Sequence, residues 1–408
     1  MQTILYMKVH RVLVEAVINA LEQIFIEGKY ADKVIERTFK ANPKWGSRDR
    51  AYIAENVYEI VRWWRLINFV GDNKESNINK GSLWHLFGVW QVLKGAEYPA
   101  WTEFKNVNST IIAKRKEEAQ KDIAISQSIP DWLNELGKSQ LGDAWPNEIT
   151  ALNKTADFII RTNTLKTTRT NLLQELAKVD IKAEPLSDYP DAIRIVKRAN
   201  LFSTQLFKAG MFEVQDASSQ KVAAFLDVKP GMHVIDACAG AGGKTLHLSS
   251  LMQSKGRIIS MDTEAWKLDE LKKRAKRAGA QNIETRVIDN KTISKLKNSA
   301  DRVLLDVPCS GLGVIKRNPD AKWKLKPEFI NNIIQTQQQI LSEYSEMVKP
   351  GAYLVYATCS ILPAENNHQV ELFLKNNSNF ELIKQEVVSS FSTGFDGFYM
   401  ALLKKNKN

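Results

Sequence analysis

The amino-acid sequence predicts an α/β fold: a doubly wound domain on a parallel sheet, preceded by a small α+β module and an all-α amino-terminal domain. Three observations predict it. From Gly210 onward, short apolar runs ending in polar or glycine residues alternate with amphipathic helical segments, the pattern of strands covered by helices on both faces. Up to about Gly95, apolar residues recur three and four apart with charges between them, as on helices. Between these regions, two strand-like runs flank one helix-like run. The expected boundaries are residues 1–125, 126–208 and 209–408, and 408 residues suffice for two or three domains.

Taken in order, "MQTILYMKVHRVLVEAVINALEQ" is expected to be a helix of the mature protein, because it lacks the charged head, compact apolar segment and cleavage site of a secretory leader. A further helical stretch, "SRDRAYIAENVYEIVRWWRLINFV", starts near Ser47. Trp63, Trp64, Trp84 and Trp90 fall at helical spacing and are expected to fill the core rather than stack on bases. After the polar run "KRKEEAQKD" and the proline of "SIPDWLNELG", the pattern becomes "ADFIIRTNTL" (strand), "TRTNLLQELAKVDI" (helix) and "DAIRIVKRA" (strand). The last region offers five strands: "HVIDACAG", "GRIISMD", "IETRVIDN", "ADRVLLDVPCS" and "GAYLVYATCS". Ligands of such sheets bind at the carboxyl ends of the strands, so the polar strand ends are where chemistry is expected.

Composition narrows the classes. No apolar run approaches the roughly 20 residues of a membrane span, so no membrane is expected as partner. A net charge of +11 raises the expectation of a polyanionic partner. Cys238, Cys309 and Cys359 are too few and too far apart for a disulfide framework and form no C-x-x-C pair, which suggests a reduced cytoplasmic protein without a structural metal.

The stretch "DACAGAGGKT" imitates a phosphate loop, yet Cys238 stands where that loop needs its first glycine. A dinucleotide or S-adenosylmethionine loop fits better. It needs an acid at the strand end (Asp236), a glycine-containing turn (Gly240, Gly242, Gly243) and a second acid at the next strand end for ribose hydroxyls (Asp262).

Two more strand ends carry cysteines. "LLDVPCSGLG" places Asp306 and Cys309 after one strand, and "VYATCSILPAEN" places Cys359 after another. A lone cysteine after a strand is usually a small buried hydrophobe. Two in serine-flanked turns on the ligand-bearing edge suit nucleophilic chemistry better.

These stretches, with "RTNTLKTTR", "FEVQDASSQ", "RNPDAKW" and "DGFYMALL", resemble the RNA 5-methylcytosine methyltransferases, in particular the Sun-type bacterial 16S ribosomal RNA enzymes, from about Ser126 to Lys405. The resemblance implies a Rossmann-like methyltransferase domain using S-adenosylmethionine and no metal, an RRM-like module before it, and a helical RNA-binding domain at the start. It implies Cys359 as nucleophile on carbon 6 of cytosine, Cys309 for release of the product, and Asp306 on the cytosine ring. Lys244 would sit in the catalytic cleft. Cofactor contacts are implied for Cys238, Ala239, Gly240, Ala241, Gly242, Gly243, Lys244, Asp262, Asp289 and Asp306. Gly240 and Ala241 replace the family's Ala-Pro, which implies a more flexible loop.

The stretch "VIKRNPDAKWKLK" interleaves Lys316, Arg317, Lys322 and Lys324 with Trp323, a combination suited to an RNA backbone and a splayed base. The expectation is therefore a monomeric enzyme acting on ribosomal RNA, with transfer RNA as the alternative substrate. A nucleotide-binding or non-catalytic RNA-binding assembly factor is the alternative of another class.

Overall fold

The computed structural model describes residues 10–74, 78–197, 199–289 and 291–407. Two units divide the chain. One holds the residues as far as Asn153 together with Arg317–Leu325; the other holds Lys154–Lys316 and Lys326–Asn408.

The first unit is helical: α1 (Arg11–Phe25), α2 (Ala31–Ala41), α3 (Ser47–Arg62), α4 (Trp64–Val70), α5 (Lys80–Leu93), α6 (Ser109–Ala119), α7 (Asp131–Leu141) and α8 (Trp145–Leu152). The part of the first expected helix over residues 1–9 lies outside the described residues. Along α1 the three-and-four spacing buries Leu13, Val17, Leu21 and Ile24 on one face, against Ile53, Val57 and Ile60 of α3 and Leu83 and Phe87 of α5. All four tryptophans belong to this core: Trp64 stacks on Phe25 with ring centroids 3.6 Å apart, and Trp63, Trp84 and Trp90 pack around it. Side-chain caps start α5 and α6, among others. Asn79 accepts from the Ser82 amide ahead of α5, and Asn108 accepts from the Thr110 and Ile111 amides ahead of α6.

Residues 317–325 complete this unit from far along the chain. The Asp320 carboxylate accepts from the Ala31 amide at the start of α2 (2.9 Å). The Lys322 ammonium, fully buried, donates to the Arg62 carbonyl (2.7 Å) and to Asn153 Oδ1 (3.0 Å). Trp323 packs on the helical core and its Nε1 donates to the Val61 carbonyl, while Lys324 donates to the carbonyls of Gly28 and Lys29.

The second unit has two sheets. The smaller is antiparallel, in the order β2-β3-β1-β4, with β1 (Phe158–Thr162), β2 (Ala183–Pro185), β3 (Ala192–Ile195) and β4 (Phe212–Val214). Helix α9 (Arg169–Lys178) covers it through Leu172 and Leu176. β2 and β4 are three residues each, too short to show a pattern in sequence.

The larger sheet has the order β10-β11-β9-β8-β5-β6-β7. Its strands are β5 (His233–Asp236), β6 (Arg257–Asp262), β7 (Ile283–Val287), β8 (Ala300–Asp306), β9 (Val348–Thr358), β10 (Phe380–Val388) and β11 (Phe398–Lys405). The five expected strands run parallel, but β11 is antiparallel to both β9 and β10, so the sheet is mixed. β10 lies on the edge with most side chains exposed, and so lacks the apolar run by which the five expected strands are recognised; β11 has such a run and is not among the five. Ile235, Val303 and Leu305 face α13 (Pro327–Tyr344) and α14 (Asn367–Asn376). Val234 and Leu304 face α10 (Ala217–Phe225) and α11 (Gly243–Leu251) on the other side. Helix α12 (Ala265–Ala278) follows β6.

The small sheet is bolted to the large one by buried polar contacts. Glu213 of β4 pairs with Arg274 and Arg277 of α12, and Asn163 donates to the Gly210 and Ala278 carbonyls. Arg161, fully buried, donates to the Gly243 carbonyl (2.8 Å) at the start of α11. Among the described residues, no helix is long and apolar enough to cross a membrane.

Candidate active site

β5 pairs with β6 on one side and β8 on the other, so the chain order reverses between β5 and β8 and a crevice opens at their carboxyl ends. Asp236, Asp262 and Asp306 end β5, β6 and β8, and Cys359 follows β9.

The glycine-rich loop runs from β5 into α11. Gly242 caps the helix at φ +88°, and a Cβ there would come within 2.5 Å of Leu271, so only glycine fits. Gly240 sits at φ +53° and its amide donates to Asp262 Oδ2 (3.0 Å), which ties the loop to the second acid. Arg274 donates to the Ala241 carbonyl, and the Ala239 amide donates to the Met261 carbonyl. Beneath the loop, Asp236 is buried and its Oδ2 accepts from Thr245 (2.6 Å), while its Oδ1 has no hydrogen-bond partner. Burial pushes the Asp236 carboxyl up to about 7. Burial and the neighbouring acids likewise push the half-buried Cys238 thiol well up, so it stays a neutral lining group.

Asp289 follows β7 beside a cavity of about 450 Å³ that is also lined by Thr263, Ile288 and Tyr344. Hydrogen bonds from Thr292 and the Lys291 amide hold its carboxyl below the usual range. Carboxylates on neutral hydroxyl and amino donors, with an apolar wall between them, fit S-adenosylmethionine; they would repel a triphosphate.

At the next two strand ends the reactive groups meet. The Lys244 ammonium donates to Asp306 Oδ2 at 2.6 Å and lies over the Phe398 ring. Burial works against its charge, yet Asp306, Cys359 and Asp236 together hold its pKa above the usual lysine value. Cys309 and Cys359 stand with sulfurs 3.2 Å apart. The hydrogen bond to Cys359, with burial behind it, pushes the Cys309 thiol well up, so Cys309 keeps its proton and can donate it to the Cys359 sulfur.

A residue not singled out in the sequence holds the two cysteine turns together. Glu365 is fully buried and its carboxylate accepts from the Ser310 amide (2.8 Å), the Ser310 and Ser360 hydroxyls (2.5 Å each) and Gln337 (3.0 Å). Gly313 adds a backbone link: its amide donates to the Cys359 carbonyl, and its own carbonyl accepts from Gly397. A Cβ on Gly313 would lie 2.2 Å from the Gly397 oxygen. "ILPAEN" contains Glu365, but its partner Ser310 is 55 residues away, and no local spacing announces the pairing.

The basic stretch after Cys309 does not join this site as expected. The ammonium of Lys316 is buried on the Gly394 and Phe395 carbonyls. Lys322, Trp323 and Lys324 are turned into the helical unit, and their donors are taken by main-chain carbonyls and, for Lys322, also by Asn153 Oδ1. The physical reason is that residues 317–325 belong to the helical unit and spend their polar groups on its backbone and their apolar surface on its core. Arg317 is half-buried.

Two family models match the chain: 16S rRNA methyltransferase RsmB/F over residues 223–404, and the ferredoxin-like domain of RsmF/B-like methyltransferases over residues 129–201. A probable ribosomal RNA small subunit methyltransferase B of Synechocystis is 32% identical, with 94% of this chain and 97% of that one covered. The chain belongs to the RsmB/F family of 16S rRNA methyltransferases. The ribosomal RNA small subunit methyltransferase B of an Escherichia coli strain is 26% identical to this RsmB/F member over 98% of its length and the whole of the relative. Among solved structures, that of PH0851 matches with a TM-score of 0.82 and 25% identity, covering 98% of this chain and all of the other. The fold of NSun6 from Pyrococcus horikoshii matches with a TM-score of 0.64 at 21% identity, covering 68% of this chain and 99% of that one. As an RsmB/F enzyme it is a methyltransferase whose cofactor is S-adenosylmethionine. Asp262, Asp289 and the loop Cys238–Lys244 are the residues of this chain suited to hold it.

Proposed function

We propose that this RsmB/F enzyme methylates carbon 5 of a cytosine in 16S ribosomal RNA, through a covalent bond between Cys359 and carbon 6 of the ring. The observation that carries this reading is the contact between the Cys309 and Cys359 sulfurs beside the Lys244–Asp306 pair. Two cysteines in contact suit a division of labour in which one attacks and the other assists release.

Carbon 5 of cytosine is a poor nucleophile until a thiolate adds to carbon 6, and a thiolate is also a good leaving group when the product is freed. Lys244 places a positive charge near Cys359, the sulfur that adds to the ring. Attack places electron density on the ring, and a proton at ring nitrogen 3 relieves it. The Lys244 ammonium, hydrogen-bonded to Asp306, is a source of that proton, and Asp306 has a second oxygen with which to accept from the amino group of the base. S-adenosylmethionine, when bound, supplies the methyl group as an electrophile.

The proton on carbon 5 must then leave as the bond to Cys359 breaks. The largest influence raising Cys309 is its hydrogen bond to Cys359. Once Cys359 is bonded to the ring that influence is gone, so Cys309 gives up its own proton to solvent more readily. Its thiolate then takes the proton from carbon 5, the C–H electron pair forms the carbon 5–carbon 6 double bond, and the C–S pair returns to the Cys359 sulfur.

The test is a trapped adduct. Cys309→Ala should leave 16S RNA attached to the protein under denaturing conditions, and the attachment should vanish when Cys359→Ala is added. Trapping by Cys359→Ala alone reverses the two roles, and trapping by neither overturns the covalent reading.

A further inference from the structure

A second cavity, of about 900 Å³, opens on the same unit away from the cofactor loop. Its walls come from Thr164 and Leu165 after β1, the turn Asp188–Asp191, helices α10 and α11, and β10. Two stretches that carry the family resemblance without contributing to the cysteine site, "RTNTLKTTR" and "FEVQDASSQ", supply Leu165 and Gln220 to it.

Its inner wall holds unmet hydrogen-bonding groups. His247 and Gln220 are 3% and 4% exposed. His247 Nδ1 and Gln220 Oε1 have no hydrogen-bond partner, and His247 Nε2 stands 3.4 Å from Asp191 Oδ2. Buried polar atoms without partners are unfavourable by about 1–3 kcal/mol each, and both side chains border the cavity, where a ligand that draws them towards it would complete them. Burial, with Arg161 nearby, holds the His247 pKa down to about 4, so its ring is neutral and offers one donor and one acceptor. The remaining inner groups, Gln220 Oε1 and the Asp191 carboxylate, are acceptors. A planar heterocycle with an amino group next to a ring nitrogen matches this set. Leu165, Pro190, Phe225 and the Tyr189 ring supply apolar surface for its faces. Two ammonium groups, Lys221 and Lys384, sit among the lining beside Glu386 and Asp188.

The cavity is close to the reacting groups along the chain. His247 lies one helical turn beyond Lys244 on α11. Tyr189 packs its ring against Phe395, two residues before Gly397, which donates to Gly313 in the cysteine turns.

We propose that this cavity receives the base of a second, unpaired nucleotide of the RNA, bearing adenine, cytosine or guanine, and so helps to fix the strand from which the target cytosine is drawn. It rests on RNA being the substrate. Sequence-tolerant stacking and edge hydrogen bonds of this kind are how proteins hold single-stranded RNA.

The test uses the full chain with its imidazoles labelled with nitrogen-15 and its cofactor site saturated with S-adenosylhomocysteine. Adenosine, cytidine and guanosine 5′-monophosphates are titrated, with ribose 5-phosphate as control. At least one nucleotide should shift the His247 ring signals saturably with a Kd on the order of 1 mM, and ribose 5-phosphate should not. Gln220→Leu should weaken that binding about tenfold, with S-adenosylhomocysteine affinity unchanged. If that variant does not fold, Leu165→Glu in the half-exposed wall should abolish the shift. No saturable shift, an equal shift with ribose 5-phosphate, or a shift indifferent to these variants overturns the proposal. No methylation step enters the titration, so its failure is distinct from a failure to trap the Cys359 adduct.

Discussion

Ser310 and Ser360, each the residue after a cysteine, donate to the same oxygen of Glu365 and stand 3.2 Å from one another. The sulfur-to-sulfur distance is thus set from behind by a buried carboxylate rather than by the cysteines themselves. Glu365→Gln replaces one oxygen by an amide donor, which then faces either the two serine hydroxyls or the Ser310 and Gln337 amides. Stability should fall by about 1–3 kcal/mol. Methyl transfer should slow by about 10²-fold, as expected for reacting groups displaced by around an ångström. Calorimetry and single-turnover methylation measure the two effects; unchanged turnover would remove the carboxylate from the positioning of the cysteines.

Lys244 is the one cation of the site bonded to Asp306 among the described contacts, so Lys244→Met should slow adduct formation by about 10²–10³-fold, the size of effect seen when a donor to developing charge is removed. Adduct formation is best followed in the Cys309→Ala background, where release is blocked. An unaltered rate of trapping would exclude Lys244 as proton source.

Asp236 contributes a pH dependence of unusual sign. Its folded pKa of about 7 lies above the unfolded value of 3.8, so between these the unfolded chain has lost the proton that the folded chain keeps. Stability from this group is therefore present below about pH 4, declines as pH rises towards 7 and is then constant, a span of roughly 4 kcal/mol at most. His247 acts oppositely: with a folded pKa of about 4 against 6.5, it removes stability as pH falls from 6.5 towards 4. Urea unfolding between pH 4 and pH 8 should show a shallower decline towards neutral pH in Asp236→Asn, and a steeper one would reverse the assignment.

Lys322 tests the fate of the basic stretch. Lys322→Met leaves the Arg62 carbonyl and Asn153 without their donor, and should destabilise the protein by about 1–3 kcal/mol. The slope of RNA affinity against salt should stay as it was. A phosphate contact would instead lower that slope by about 1.

Much of the site was legible because its acids and cysteines follow apolar runs, and a run that ends in Asp or Cys announces both the strand and its carboxyl end. Asp236, Asp262, Asp306, Cys309 and Cys359 all come from that rule. Glu365 was not legible because its four donors come from three separate segments. Lys322 and Trp323 misled for a related reason. A lysine beside a tryptophan looks the same whether it faces solvent or a carbonyl 260 residues away, and only packing distinguishes the two. β10 escaped because a largely exposed edge strand has no second apolar face to advertise it.

The nine residues from Arg317 to Leu325 that complete the helical unit also set a timetable for synthesis. The unit's last helix is made by Leu152, yet the segment that satisfies the carbonyls of Gly28, Val61 and Arg62 emerges only when translation has passed Leu325. At about 5–20 residues per second, that is a wait of roughly 9–35 s during which the first part of the nascent chain carries an open seam. An enzyme of this build finishes its first-made part only after four of the seven strands of its catalytic sheet have been translated.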